Sequence, residues 1–296
     1  MNNIPKNIPK NIPKNKYPFN GVVEYNYNYN PITTIIINYF TSVDTLLKTI
    51  NNIRCLGDCI EIIVNNDRYG ENTDKIMKVL THRNDRMIIS RDLGEKRGYH
   101  HGAVLSISSK YLIFTQDDDL APFNNKWYND CINEFEKDKD LGLIGLLKGG
   151  INYAQKDNKT FTDEYEKVYV SWLATGPLII RKDVYFNING WSEEYSQIGE
   201  ADGGADADLA TKVLLSGKKV MLLRTNSVKE WIRRFERNDG ITNENIKSIK
   251  KTTDWGKMSD KRIILNNEIY YEKYKDKWEE IYNTVKKYNN DININI

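Results

Sequence analysis

From residue 32 the chain alternates between two kinds of block. "ITTIIINYF" (32–40) is a continuous β-branched and aromatic run, the pattern of a strand covered on both faces. "SVDTLLKTINNI" (42–53) follows with apolar positions at helical spacing, and Ser42 stands where a helix amino end is capped. The alternation continues with "CIEIIVNND" (59–67), "RMIIS" (86–90) and "YLIFTQ" (111–116) as strands. Between them, "TDKIMKVLTH", capped near Thr73, and "HGAVLSISS" (101–109) read as helices. Strands joined through helices predict an α/β fold with a Rossmann-like, mostly parallel sheet flanked by helices. Ligands of such sheets bind beyond the carboxyl ends of the strands.

The second half is less regular. "WYNDCINEFEKD" reads as a helix, "LGLIGLLKG" and "KVYVSWLATGPLIIRKDV" as strands around a Gly-Pro turn. "DADLATKVLLSG" predicts a helix ended by Gly217, and "KKVMLL" a strand. Beyond residue 240, "ENIKSIKK" and "YYEKYKDKWEEIYNTVKKY" are charged and amphipathic, with aromatics placed to pack on the body. The opening repeats Asn-Ile-Pro-Lys three times, and proline every fourth residue blocks helix and central strand alike. Residues 1–20 therefore read as a low-complexity flexible arm, 21–240 as the α/β domain and 241–296 as a C-terminal helical extension.

Composition narrows the function classes. At 296 residues and 40% hydrophobic content the chain can bury a large core. Its 43 basic and 41 acidic residues are interspersed, so no global field favours nucleic acid or an anionic membrane. Cys55, Cys59 and Cys131 lack zinc-site spacing and read as small buried hydrophobes of a reducing compartment. With no apolar signal segment and no apolar run near the ~20 residues that span a bilayer, the expectation is a soluble cytoplasmic protein. The Asn, Ile and Lys excess fits an A/T-rich genome; for a viral chain the compartment would be the host cytoplasm.

Candidate chemistry concentrates in two acidic clusters. "YLIFTQDDDLAPF" runs a strand into Asp117, Asp118 and Asp119 at the ligand-binding end of the sheet. A lone Asp pair there would be an ordinary solvated turn, but three adjacent carboxylates repel unless a cation or donors neutralise them. Mn²⁺ or Mg²⁺ prefers oxygen ligands and bridges substrate phosphates, so two acids plus a diphosphate suffice. In "GEADGGADADLATKVLLSGKKV", Glu200, Asp202, Asp206 and Asp208 surround a glycine pair and lead into a helix. Helix capping accounts for Asp206 or Asp208. Two separated clusters also fit a division of labour, one holding cation and leaving group, the other supplying a base.

Five blocks in order resemble a family 2-like glycosyltransferase of the GT-A fold, over roughly residues 32–225. They are "TTIIINYFTSVDTLLKTINNI", "IEIIVNNDRYGENTD", "GEKRGYHHGAVLSISSKYLIFTQDDD", "WLATGPLIIRKDVYFNINGWSEEY" and "DADLATKVLLSGKKV". The resemblance implies a nucleotide-binding half at about 32–135 and an acceptor half at about 136–240. It implies a metal-dependent inverting enzyme moving a hexosyl or N-acetylhexosaminyl group from a nucleoside-diphosphate sugar, UDP-linked by expectation, to a hydroxyl of a glycan or other acceptor. Asn38, Tyr39, Phe40, Asn66 and Asp67 would line the nucleoside pocket, and Arg97 would approach the diphosphate or sugar. Asp117 and Asp119 match the Asp-x-Asp signature and are the implied metal ligands, Asp117 also near ribose and donor sugar, with Asp118 able to replace either. Asp206 matches the base, Gly176 falls in a substrate-binding block, and Trp191 is the favoured acceptor platform, with Trp172 and Tyr195 nearby. Departures are visible: Ala205 replaces the acid that normally precedes the base, leaving Glu200, Asp202 or Asp208 as substitutes. The family's late metal-binding histidine has no counterpart among His82, His100 and His101, and Trp231, Arg233 and Arg234 stand where some relatives cover the diphosphate. The alternatives are an inactive sugar- or cation-binding module on the same fold and a nucleotidyltransferase, although "INYFTSVD" lacks the glycine-rich basic loop of the latter.

Overall fold

A computed structural model describes residues 31–82, 84–91, 93–108, 110–153, 155–196, 206–233 and 254–296, without the side chains of 233 and 254–260. Four strands open the fold: β1 (Thr33–Tyr39), β2 (Ile60–Asn66), β3 (Arg86–Ile89) and β4 (Tyr111–Gln116). All four run parallel, joined through helices α1 (Val43–Ile53), α2 (Thr73–Val79) and α3 (Glu95–Leu105). The β-branched runs are continuous because both sheet faces are covered: Ile35, Ile36 and Ile37 of β1 and Ile62, Ile63 and Val64 of β2 have no exposed surface.

After the short β5 (Asp119–Leu120) and helix α4 (Lys126–Lys137) come β6 (Leu141–Gly145), β7 (Gly149–Ile151), β8 (Lys159–Phe161), β9 (Lys167–Tyr169), β10 (Trp172–Leu173) and β11 (Leu178–Arg181). Helices α5 (Lys182–Asn187) and α6 (Asp208–Leu215), β12 (Lys219–Leu223) and β13 (Ile232–Arg233) follow. The central sheet has the order β3-β2-β1-β4-β11-β6-β12-β9, and within it β9 and β11 run against the rest. A β10-β7-β8 sheet and a β13-β5 pair complete the topology.

The C-terminal helices α7 (Asp254–Tyr274) and α8 (Trp278–Asn290) belong to the body. Ile281 and Val285 of α8 join the main core, and Tyr270 and Tyr274 of α7 pack with Trp172, Tyr195 and Ala207. Asn289 covers the edge strand β9: its amide donates to the Tyr169 carbonyl at 2.8 Å and its carbonyl accepts the Tyr169 N–H at 2.9 Å. Those pairings satisfy the outward backbone groups of Tyr169 at the sheet edge.

The structure departs from the sequence reading in three places. Helix α3 starts at Glu95, six residues ahead of the expected start, because its buried face is made of Lys96, Gly98, Tyr99, Gly102 and Ala103 and carries no apolar stripe. The long runs 141–149 and 167–184 are broken into β6 and β7, and into β9, β10, β11 and α5. Of the three cysteines, Cys131 is buried as expected, Cys59 is half-buried and Cys55 is exposed. The arm at 1–20 and the segment 244–251 lie outside the described residues.

Candidate active site

The reversed strand β11 brings Asp206 toward the Asp117–Asp119 turn. Leu178 is opposite Phe114 and Arg181 opposite Tyr111, so the amino end of β11 lies at the carboxyl end of β4, where the three acids follow. Thr175 and Gly176 precede that end. Gly176 has φ +62°, a left-handed backbone that suits glycine, and a Cβ there would stand 2.7 Å from Asp119 Oδ2. Thr175 Oγ1 donates to Asp206 Oδ1 at 3.0 Å. Through these two residues Asp206 and the Asp117–Asp119 turn become neighbours, although they lie far apart in the chain.

The three acids occupy different environments. Asp117 is buried, and its Oδ2 accepts the backbone N–H groups of Phe40 (3.0 Å), Thr41 (2.6 Å) and Ser42 (2.6 Å). Burial pushes its carboxyl above the ordinary range, the three amides pull it back, and nearby Asp119 raises it again. Asp119 is also buried, its Oδ2 accepting Thr115 Oγ1 at 2.9 Å and the Gln116 N–H at 3.1 Å. Asp118 is half-buried and is the member of the triplet with surface toward solvent. Next to them, Gln116 Nε2 donates to Glu95 Oε1 at 2.6 Å.

The residues expected to line a nucleoside pocket mostly bond to one another and to the loops beside β1 and β2. Asn38 Oδ1 accepts Asn65 Nδ2 at 2.7 Å, and Asn65 Oδ1 accepts Ser90 Oγ at 2.9 Å. Tyr39 is buried and its hydroxyl accepts Asn72 Nδ2 at 2.7 Å. Asn66 bridges Glu71 O and the Arg68 N–H. Asp67 spends both oxygens on the loop before α3, taking Ser90 Oγ (2.7 Å), Leu93 N–H (2.7 Å) and Gly94 N–H (2.9 Å). Phe40 is only half-buried, with the Arg68 guanidinium 5.2 Å from its ring centre. Arg97 points to the other half of the molecule: Nη1 pairs with Glu193 Oε2 at 2.6 Å and Nε donates to Ser196 O at 2.6 Å.

The expectation of Trp191 as an acceptor platform is corrected. Trp191 is 2% exposed and packs against Tyr99 and Phe114 at 6.0 Å, so its faces serve the core and offer no sugar platform. Trp172, Tyr195 and Trp231 are likewise buried. Asp208 is also corrected as a substitute base: it has no exposed surface and is held by Ser192 Oγ at 2.6 Å and the Tyr274 hydroxyl at 2.7 Å. Glu200, Asp202 and Arg234 lie outside the described residues, as does the Arg233 side chain. His100 contacts the Tyr185 hydroxyl at 3.1 Å, and burial lowers its pKa, with Glu193 opposing. Among the described residues no three His, Cys, Asp or Glu side chains group to hold a metal ion.

Sequence reasoning missed Thr175, Arg68 and Glu193. Each gains its role from an element far away in the chain, and only the adjacency of Thr175 to the Gly-Pro turn gave a local signal.

No family model matches the chain, and no curated protein sequence does. Solved structures do resemble it. Over 66% of this chain, a crystal structure of GalNAc-T7 with UDP, GalNAc and Mn²⁺ superposes at TM-score 0.53 and 15% identity. The chain has a GT-A glycosyltransferase fold. That match spans 43% of the GalNAc-T7 chain, less than half its length. A crystal structure of S. aureus TarS 1–349 in complex with UDP aligns at TM-score 0.48 and 12% identity, over 66% of this chain and 58% of that one. Among the described residues no helix is long and apolar enough to cross a membrane.

Proposed function

We propose that the protein is a metal-dependent, inverting glycosyltransferase that moves a hexosyl or N-acetylhexosaminyl group from a UDP-linked sugar to a hydroxyl of a glycan or other acceptor. One observation carries the reading: Thr175 and Gly176 join Asp206 to the Asp117–Asp119 turn at the carboxyl end of β4. The GT-A fold supports it, and the UDP, GalNAc and Mn²⁺ bound in the GalNAc-T7 structure support the choice of donor and ion.

Asp206 is the base. It takes the acceptor hydroxyl proton as the acceptor oxygen bonds to the anomeric carbon; the bond from that carbon to the diphosphate breaks, and its electron pair leaves with UDP. A single displacement inverts the anomeric centre. Thr175 occupies one Asp206 oxygen and so fixes the carboxylate's orientation. The residues present fit a divalent ion shared with substrate, because Asp117 and Asp119 are held at the end of the sheet and the half-buried Asp118 between them keeps part of its surface toward solvent. Asp118 with Asp119 would hold it together with diphosphate oxygens. When bound, such an ion neutralises charge on the departing diphosphate. Phe40, beneath Arg68, supplies the aromatic face for the base of the nucleotide.

Thermal unfolding with UDP, GDP, CDP or dTDP, each with and without Mn²⁺, tests the reading on the protein and on Asp118→Asn. At 100 times the dissociation constant a ligand adds about 2.7 kcal/mol, several degrees of melting temperature. The expected result is stabilisation by UDP that requires Mn²⁺ and is lost in Asp118→Asn. If no diphosphate moves the transition under any metal condition, the assignment fails and the turn is a scaffold only.

A further inference from the structure

Helix α7 packs against both stretches of chain that flank residues 197–205. On the amino side, Arg262 Nη2 donates to Glu194 O at 3.1 Å, Asn266 Nδ2 to Tyr195 O at 2.8 Å, and Lys273 Nζ pairs with Glu194 Oε1 at 2.6 Å. On the carboxyl side, the Tyr270 hydroxyl meets Thr211 Oγ1 at 2.7 Å. The two sides meet at Asp208. Its Oδ2 accepts Ser192 Oγ at 2.6 Å, while its Oδ1 accepts the Tyr274 hydroxyl at 2.7 Å and pairs with Lys273 Nζ at 3.2 Å. Lys212, from Asp208's own helix, donates to Gly190 O and to Ser192 Oγ at 3.2 Å, tightening the same junction.

A carboxylate with no exposed surface is costly unless paired and hydrogen-bonded. Here it has donors from α7 and from the 190–196 stretch, with the Lys212 ammonium of α6 4.0 Å away, so displacing either element weakens the compensation of a buried charge. That makes the junction a rigid corner, and Asp206 stands two residues before it. Opposite, Arg97 of α3 grips Glu193 and Ser196, so the 190–196 stretch is held from the nucleotide side and from α7 at once.

We infer that Tyr274 and Lys273 are positioning residues for the base: through Asp208 they fix the turn that aims Asp206, which makes α7 a working part of the transfer site. The inference rests on reading Asp206 as the base.

Tyr274→Phe, Lys273→Met, Lys273→Arg and Asp206→Asn, each in the full chain, test it. The readouts are melting temperature, UDP affinity with Mn²⁺, turnover, and amide hydrogen exchange in 190–196 and 207–211. Tyr274→Phe and Lys273→Met are expected to lower turnover by about 10- to 100-fold while UDP affinity stays within about twofold. Exchange in both stretches should rise, and Lys273→Arg should recover turnover. Unchanged turnover and exchange overturn the inference, as does a parallel fall of turnover, affinity and melting temperature. Should Tyr274→Phe fail to fold, the Lys273 pair decides alone. If Asp206→Asn keeps its turnover, the base assignment has failed; the exchange data then still tell whether α7 fixes this corner.

Discussion

Replacing Gly98 by alanine sets two effects against each other where α3 docks on β1 and β2. In a helix interior, alanine is favoured over glycine by about 1 kcal/mol, so an unhindered Gly98→Ala would stabilise α3. Gly98, however, faces the Asn38–Asn65 pair: a Cβ would lie 2.3 Å from Asn38 Oδ1 and 2.4 Å from Asn65 Nδ2, well inside ordinary contact. Either α3 lifts away from the sheet or the asparagine pair, bonded at 2.7 Å, must open. Overpacking costs about 1–3 kcal/mol, and a buried amide left without its partner costs about the same. With both steric terms in force they outweigh the propensity gain, and the variant should be about 1–5 kcal/mol less stable. Urea unfolding followed by tryptophan fluorescence measures this as a lower midpoint at unchanged slope. Asn38→Ala in the same chain should recover part of the loss, because it removes the obstacle. A Gly98→Ala protein as stable as its parent would refute the reasoning and mean that α3 does not dock through this contact.

Two further outcomes follow from single side chains. Asp117→Asn keeps an acceptor but loses the charge that binds three backbone amides, and should cost about 1–3 kcal/mol in thermal unfolding at neutral pH. A more stable variant would show instead that the relief of buried charge outweighs those bonds. His100 has its pKa depressed by burial, so the unfolded chain protonates first on acidification. Its stabilising share is complete above about pH 6.5 and is lost as pH falls toward the lower folded value, so His100→Gln should flatten the stability profile below about pH 6.5. An unchanged profile would exclude His100 as a source of that slope.

The parallel half of the fold was legible because its signal is local. Ile35–Ile37 and Ile62–Val64 can only be doubly covered strands, and the acids after Gln116 sit where any such sheet binds ligands. Helix α3 was half legible, since its docking face uses Gly98 and Gly102 to bring backbone close to β1, and small residues leave no hydrophobic stripe. The direction of β11 was not legible: its apolar run is the same read parallel or antiparallel, yet only the antiparallel arrangement carries Thr175 and Gly176 to the end of β4. Trp191 misled for a related reason. A tryptophan before an acidic loop can face substrate or core, and the choice is made by Tyr99 and Phe114, remote in sequence.

The aspartate triplet shows why identical neighbours need not share a task. Three adjacent carboxylates need not share one cation: Asp117 and Asp118 lie in a turn and Asp119 opens β5, so each meets different neighbours. Asp117 is drawn to the amides of the β1–α1 loop, and Asp119 folds back on Thr115 and Gln116 beneath Gly176. Five donors thus offset the repulsion that the sequence alone would impose, and the two flanking anchors fix the backbone of the residue between them. In the proposed reaction Asp118 then meets the ion and the diphosphate from a rigid turn, so little ordering is left to be done when the donor arrives. Asp117 then matters chiefly for stability, Asp118 for binding and Asp119 for both, a division that substitution of each in turn by asparagine would expose.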